Sequence, residues 1–276
     1  MVKDREIDNS EEKWASFINK VQSETKKLQL HGAGLPYYRG HYNSTWKLRP
    51  LIFRKKLNIP QIFELEQMLS CDFHTLCGQL YNKDLNDWEM SFEMRHSGLP
   101  TRLLDWTETF SNALFFAIHE KPPSDEIEEH KPCIWILDPY KLNEKTYHEK
   151  CIPDTLSLGF TYHYDDVKTW NAIRKKFKGP IAIIPPKSHG RMLAQQSLFT
   201  VHFNEVPLEK YYESCVKKID IPIECMKQAE LFLFLAGVND YTLFPDLDGL
   251  GKYLQKRFSH YINFNQNAEK FGIFQK

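Results

Sequence analysis

The chain has 276 residues, 42% of them hydrophobic, with 36 basic and 36 acidic side chains and no net charge at pH 7. That length buries a substantial core in one large domain or two small ones, and the balanced charge leaves no global field to draw the protein to nucleic acid or an anionic membrane. No apolar run reaches 18 residues, the opening MVKDREIDNSEEK is too charged for a signal peptide, and the six cysteines show neither CxxC spacing nor a Cys/His cluster, so the expectation is a cytoplasmic protein with free thiols, no membrane span and no metal.

The first predicted element is an amphipathic helix over about 10–27, with Asn9 as N-cap, Glu12 three residues on, and Trp14, Phe17, Ile18 and Val21 on one stripe. Residues 1–30 thus read as an N-terminal packing helix, ahead of an α/β domain over 31–260 and a polar, loosely held tail over 261–276. Glycines and Pro36 mark a turn before a strand at 37–40, where Arg39 sits among aromatics. Such an arginine presents a planar fork of donors to a phosphate or amide, and Arg49, on a second short strand, adds to it. The plainer alternative is that either arginine stacks on a neighbouring tyrosine or tryptophan. Pro60 then opens a long helix to about Tyr81, with Leu65, Leu69, Phe73, Leu76 and Leu80 along one side, and a further helix over 86–95 leads into the densest stretch of the chain.

That stretch is MRHSGLPTRLLDWTETFSNALFFAIHE, residues 94–120. Gly98 is placed to close the preceding helix as a left-handed cap, and Pro100 forbids its continuation. Residues 101–106 then run extended, so Arg102 and Asp105 fall on different faces unless the backbone bends, and Asp105 reads as a turn residue. Thr107 or Thr109 caps the next helix, in which Ala113, Phe116, Ala117 and Glu120 recur at three- and four-residue spacing and whose N-terminus offers N–H groups to an anion. Arg102 and Asp105 are either site groups or a buried pair that fixes the turn. His96 either binds substrate and moves a proton or holds a structural hydrogen bond.

Beyond it, Lys121 to Pro132 is a Pro-rich, acidic surface connector, 133–138 a buried strand, 143–177 an irregular excursion with one helix at 165–176, and 181–186 a second buried strand. A strand over 197–203 is preceded by Arg191, Gln195 and Gln196, neutral donor-acceptor amides beside a cation that suit amide or ribose recognition, or else cap a surface loop. A short strand near 219, an apolar helix at 223–235 and a last helix at 246–259 complete the chain. The expected fold class is α/β (α+β): a single domain with a mixed central sheet, built from the segments at 37, 48, 133, 181, 198 and 219, flanked by helices. There is no P-loop, GxGxxG, HExxH or GxSxG, so P-loop NTPase, dinucleotide-fold dehydrogenase, zincin and α/β-hydrolase readings lose their usual support.

The phrase RHSGLPTRLLDWT, with YYRGH upstream, resembles the FRG domain family, named for a Phe-Arg-Gly motif that here reads Tyr38, Arg39, Gly40. Leu48-Arg49-Pro50, RMLAQQSLFT from Arg191 and LFPDLDGL from Leu243 extend the resemblance over about residues 35–250, with its motif core at 35–140. The family is mostly described as of unknown function, in bacterial and phage proteins. The order of pieces is also similar to the ADP-ribosyltransferase layout, in which an early arginine holds NAD, the middle segment supports the nicotinamide cleft and a late glutamate orients the ribose. Here the late position is Gln195 or Gln196, a departure that removes the carboxylate.

The resemblance implies a nucleotide cleft in which His96, Asp105 and Gln196 do the chemistry, while Arg39, Gly40, Arg49, Arg102, Trp106, Thr107, Arg191 and Gln195 hold NAD or a related small-molecule nucleotide. One reading is an enzyme that cleaves or transfers at the ribose, as a toxin or phage-defence effector with a nucleic acid or protein acceptor. The others are a noncatalytic module for a nucleotide or nucleic-acid end, and a protein-interaction domain.

Overall fold

The computed structural model describes residues 2–29, 35–77, 85–119, 130–146, 148–155, 158, 162, 167–177, 179–187 and 190–270. Strands β1 (Tyr37–His41), β2 (Leu103–Thr107), β3 (Cys133–Leu137), β4 (Ile181–Ile183), β5 (Ser197–Val201) and β6 (Val216–Asp220) form one sheet in the order β4-β5-β2-β1-β3-β6. The helices are α1 (Val2–Gln29), α2 (Ile59–Cys77), α3 (Asp87–His96), α4 (Phe110–His119), α5 (Pro139–Thr146), α6 (Val167–Lys176), α7 (Gly190–Ala194), α8 (Leu208–Tyr211), α9 (Met226–Leu235), α10 (Asp240–Leu243) and α11 (Leu247–Lys270). None is long and apolar enough to cross a membrane. All six thiols are free.

The α/β class with a helix-flanked sheet holds, but two details of the expected sheet change. Every pairing between these strands is antiparallel, and parallel contacts are confined to the isolated bridges Asn43–Lys131 and Asp154–Ile184. Leu48 and Arg49 form no strand: Leu48 is buried in the turn before a 3-10 helix at Leu51–Arg54, and the sixth strand is β2, inside the dense motif. Asp105 accordingly sits within a strand rather than a turn.

Alternation explains how β2 is held. Leu104 and Trp106 pack with Tyr37, Trp135, Leu137 and Leu198 on one face, whereas Leu103 packs with Phe92, Phe199 and Val201 on the other. The face carrying Tyr38, Ile134, Ile136 and Ile219 is covered by Phe17 and Val21 of α1, by α4 and by Ala229 and Leu233 of α9. Of the local signals around α3, the left-handed cap at Gly98 forms as the sequence predicts, and the cap at its start is a further finding. Asn86 and Glu89 make a reciprocal capping box at the start of α3, and Gly98 (φ +82°) ends it with Gly98 N–H to Arg95 and Leu99 N–H to Met94 at 3.1 and 2.9 Å.

Several expectations shift at their ends. The last helix runs on to Lys270 and takes in most of the predicted polar tail. Residues 139–146, part of which read as irregular, form α5. The glycine turn at 31–34, residues 78–81 of the second helix, Glu120, the connector over 121–129, the start of the 165–176 helix and the last residues, 271–276, lie outside the described residues.

The sheet is two three-stranded halves joined at a narrow seam. β1 pairs with β3, and β2 with β5, over five residues each, but β1 and β2 share the single registered pair Tyr38–Thr107. The seam is backed by α4, on which β1 lies so closely that a Cβ at Gly40 would stand 1.8 Å from the Ala113 carbonyl oxygen and 2.5 Å from the Ala117 nitrogen. Gly40 is therefore a packing requirement. Gly40→Ala is expected to lower stability by about 1–3 kcal/mol or more through overpacking. Gly251→Ala, where a Cβ on α11 meets nothing within 4 Å, is expected to stabilise by up to about 1 kcal/mol through helix propensity. Chemical denaturation midpoints of the two variants check both signs.

Candidate functional site

The two halves open beyond their shared pair, and side chains occupy the gap. Arg39 Nη1 donates to the Asp105 carbonyl oxygen at 2.7 Å, where a ladder bond would otherwise form, and Arg39 Nε donates to His41 Nε2 at 2.9 Å. Burial and then the nearby Arg39 charge keep His41 well below the usual histidine range, so it is neutral and accepts. The Asp105 carboxylate reaches Arg95 from the last turn of α3, its Oδ2 taking Nε at 2.9 Å and also Nη2, and the same oxygen stands 3.5 Å from Arg39 Nη1. Burial pushes the Asp105 carboxyl up, but Arg95 and then Arg39 outweigh it and hold it at about 2. Asp105 is thus a clamp between two guanidiniums, not an acid waiting to give a proton.

This cluster forms part of the wall of a cleft of about 900 Å³. Tyr38, Gly40 and Thr107 line the seam, His96 and Arg95 come from α3, Phe115, Phe116 and His119 from α4, and Arg191 and Gln195 from the segment before β5. Asp240, Phe244, Lys252, Gln255, Lys256 and Ser259 complete it from the C-terminal part, the last four at helical spacing on one face of α11. Five lining side chains are cationic and two are carboxylates, so the cleft is basic although the chain is neutral. Thr107 ties the seam to the late strand, donating to the Gln195 carbonyl at 2.8 Å while accepting the Thr109 N–H at 3.2 Å at the start of α4. Arg191 donates to the His96 carbonyl at 2.9 Å and lies 4.7 Å over the Phe244 ring, which meets Phe116 edge-on.

Of the predicted residues, Arg39, Gly40, His96, Asp105, Trp106, Thr107, Arg191 and Gln195 come together at this cleft. Trp106 contributes to the wall, yet its ring packs in the core of the opposite face and its indole N–H donates to Thr200 at 3.1 Å. Three expectations are corrected. Arg102 is fully buried: its Nε meets both oxygens of Glu66 at 2.8 and 2.9 Å, its guanidinium stacks 4.4 Å from the Tyr162 ring, and it holds no cleft anion. The buried pair foreseen for Arg102 therefore exists with Glu66 rather than Asp105: Arg102, just before β2, reaches α2, whereas Asp105 inside β2 meets the last turn of α3. Arg49 lies off the sheet and away from the cleft. Gln196 takes a left-handed conformation (φ +46°) in the turn before β5, where its carbonyl receives the Glu108 N–H, and it does not line the cleft.

Arg95 was not among the expected site residues, although it stands inside the quoted motif; a cation in the last turn of a helix fits the helix dipole and carries no further signal. His119 stands at the end of the quoted stretch, where it carried no signal of its own, and Asp240, Lys252 and Lys256 reach the cleft only through the approach of α10 and α11. Among the described residues, no cluster of three or more His, Cys, Asp or Glu side chains is placed to hold a metal.

The family model of the FRG domain matches residues 36–126, the stretch that carries β1, β2 and α4. No curated protein and no solved structure matches the chain.

The two ion pairs predict different failures. Arg102→Ala leaves a buried Glu66 carboxylate uncompensated and is expected to cost about 3–5 kcal/mol, read from denaturant unfolding. Asp105 is held below its unfolded value near 4, so its contribution is present above about pH 4 and is lost as pH falls toward 2. Between those pH values the wild type is expected to lose more stability than Asp105→Asn, measured by thermal unfolding at each pH.

Proposed function

We propose that the FRG domain of this chain forms, with α10 and α11, a cleft for a pyrophosphate-bearing nucleotide of the NAD kind, and that the protein acts at its ribose by cleavage or transfer. The observation that carries this reading is the Arg39–Asp105–Arg95 cluster at the sheet seam. One carboxylate fixes two guanidiniums side by side, and the planar fork of a guanidinium is a group suited to phosphate oxygens. Arg191 and Lys252 add positive charge, which matches the anionic part of such a ligand. Phe116 and Phe244 offer apolar surface to a base or nicotinamide ring. A cleft of about 900 Å³ has room for a dinucleotide. The resemblance to the ADP-ribosyltransferase layout supports the same reading, with Arg39 on an early strand and Gln195 before a late one.

One feature favours a noncatalytic nucleotide-recognition module instead. Both lining carboxylates are engaged by cations, Asp105 by Arg95 and Arg39 and Asp240 by Lys256 at 2.6 Å, so neither stands ready to stabilise an oxocarbenium-like centre.

The test is incubation of the full chain with NAD, following nicotinamide release, with calorimetric titration of NAD and ADP-ribose alongside. The expected result is release and binding in the wild type, with affinity for both ligands falling about 10- to 100-fold in Arg39→Ala, the worth of a charge-assisted hydrogen bond. Binding without release selects the recognition module. Neither, in a sample folded by circular dichroism, overturns the nucleotide reading. An NAD-consuming activity acting as a toxin would also arrest growth of cells expressing the wild type but not Arg39→Ala.

A further inference from the structure

Both carboxylates of the cleft are clamped, so an attacking group needs another base, and the end of α4 carries a candidate. His119, the last residue of α4, lines the cleft with its side chain 23% exposed. Its Nε2 stands 3.5 Å from Oε2 of Glu230 on α9, and the Phe115 ring lies against it at 4.6 Å. Among the described residues its Nδ1 meets no hydrogen-bonding partner. In the neutral tautomer that donates Nε2–H to Glu230, Nδ1 carries the lone pair, an arrangement in which a carboxylate orients an imidazole as a base. Resting on the nucleotide reading above, we propose that His119, oriented by Glu230, is the general base that activates the attacking hydroxyl.

The surroundings fit that role. The hydrogen bond from His119 holds the Glu230 carboxyl below the usual carboxylate range against the opposing effect of its partial burial, with Lys256 adding to the lowering and Asp240 working against it. The charged groups facing the pair are therefore Glu230 from α9, Asp240 from α10 and Lys256 from α11, the last two bound to each other. In the step, the oxygen of water or of an acceptor hydroxyl bonds to C1′ of the ribose, and the C1′–N bond to nicotinamide breaks with its electron pair going to the nicotinamide nitrogen. The proton of the attacking oxygen passes to Nδ1 and then to solvent.

The test uses the full chain with His119→Ala, His119→Gln and Glu230→Gln, reading nicotinamide release, calorimetric NAD affinity, and the titration of Glu230 by carboxyl NMR. Removal of the base is expected to lower kcat about 100-fold or more while NAD affinity stays within about threefold. Glu230→Gln should lower kcat by a smaller factor with KM unchanged, and added imidazole should restore part of the His119→Ala rate. In His119→Gln the Glu230 carboxyl is expected to titrate higher than in the wild type. Turnover of His119→Ala at the wild-type rate overturns the proposal and leaves the nucleotide reading standing, as does NAD binding without release by the wild type. An unchanged Glu230 titration in His119→Gln also overturns it, even if His119→Ala fails to fold. Absence of both binding and release in the wild type removes the nucleotide reading itself.

Discussion

The hydrogen bond from Arg39 Nη1 to the carbonyl of Asp105, 2.7 Å long, sits where the sheet stops being a sheet. A carbonyl left without its ladder partner in a half-buried seam costs free energy unless another donor reaches it. Here a side chain from the neighbouring strand supplies that donor, so the halves can part after one registered pair without leaving an orphan acceptor. The opening is the floor of the cleft. It exists because β1 carries a glycine that lets α4 back the seam and an arginine that bridges it.

The carboxylate of the same Asp105 extends the network sideways to Arg95, which ends a helix fixed at one end by a capping box and at the other by a left-handed glycine. Rigid elements therefore position both guanidiniums. The face that Arg39 shares with Tyr37 and Trp135 also carries polar contacts: Trp106 donates to Thr200, which contacts His202 at 2.9 Å. Burial and then Arg39 hold His202 down at about 3. Keeping His41 and His202 uncharged leaves the positive charge of the region on the arginines.

Arg102 and Arg39 illustrate how neighbourhood sets the role of one residue type. Arg102, fully buried, is matched by Glu66 and the Tyr162 ring and binds α2 to β2, a structural task. Arg39 keeps a partly open face because the strands part beside it. The basic cleft likewise does not follow from composition: 36 acidic groups balance 36 basic ones over the chain, yet the folding of α11 across the opening gathers Lys252 and Lys256 with three arginines.

The sequence by itself determined the local and periodic features: the glycine cap of α3, the strands at 37, 133, 181 and 197, the apolar faces of α1 and α4, and a motif dense enough to mark where a site lies. Those depend on neighbours a few residues apart, so spacing encodes them. Only the tertiary structure decided which polar groups meet. Whether Asp105 pairs with Arg102 or Arg95 turns on where α2 and the end of α3 pack against the segment, and spacing cannot distinguish the two. Segment 103–107 read as extended but not as a strand of the sheet, because a strand holding Leu103, Leu104 and Trp106 on both faces loses the alternation that marks a half-buried strand. The cleft's far wall was illegible for the same reason: His119, Glu230, Asp240 and Lys256 are up to 137 residues apart and come together only through the packing of α4, α9, α10 and α11.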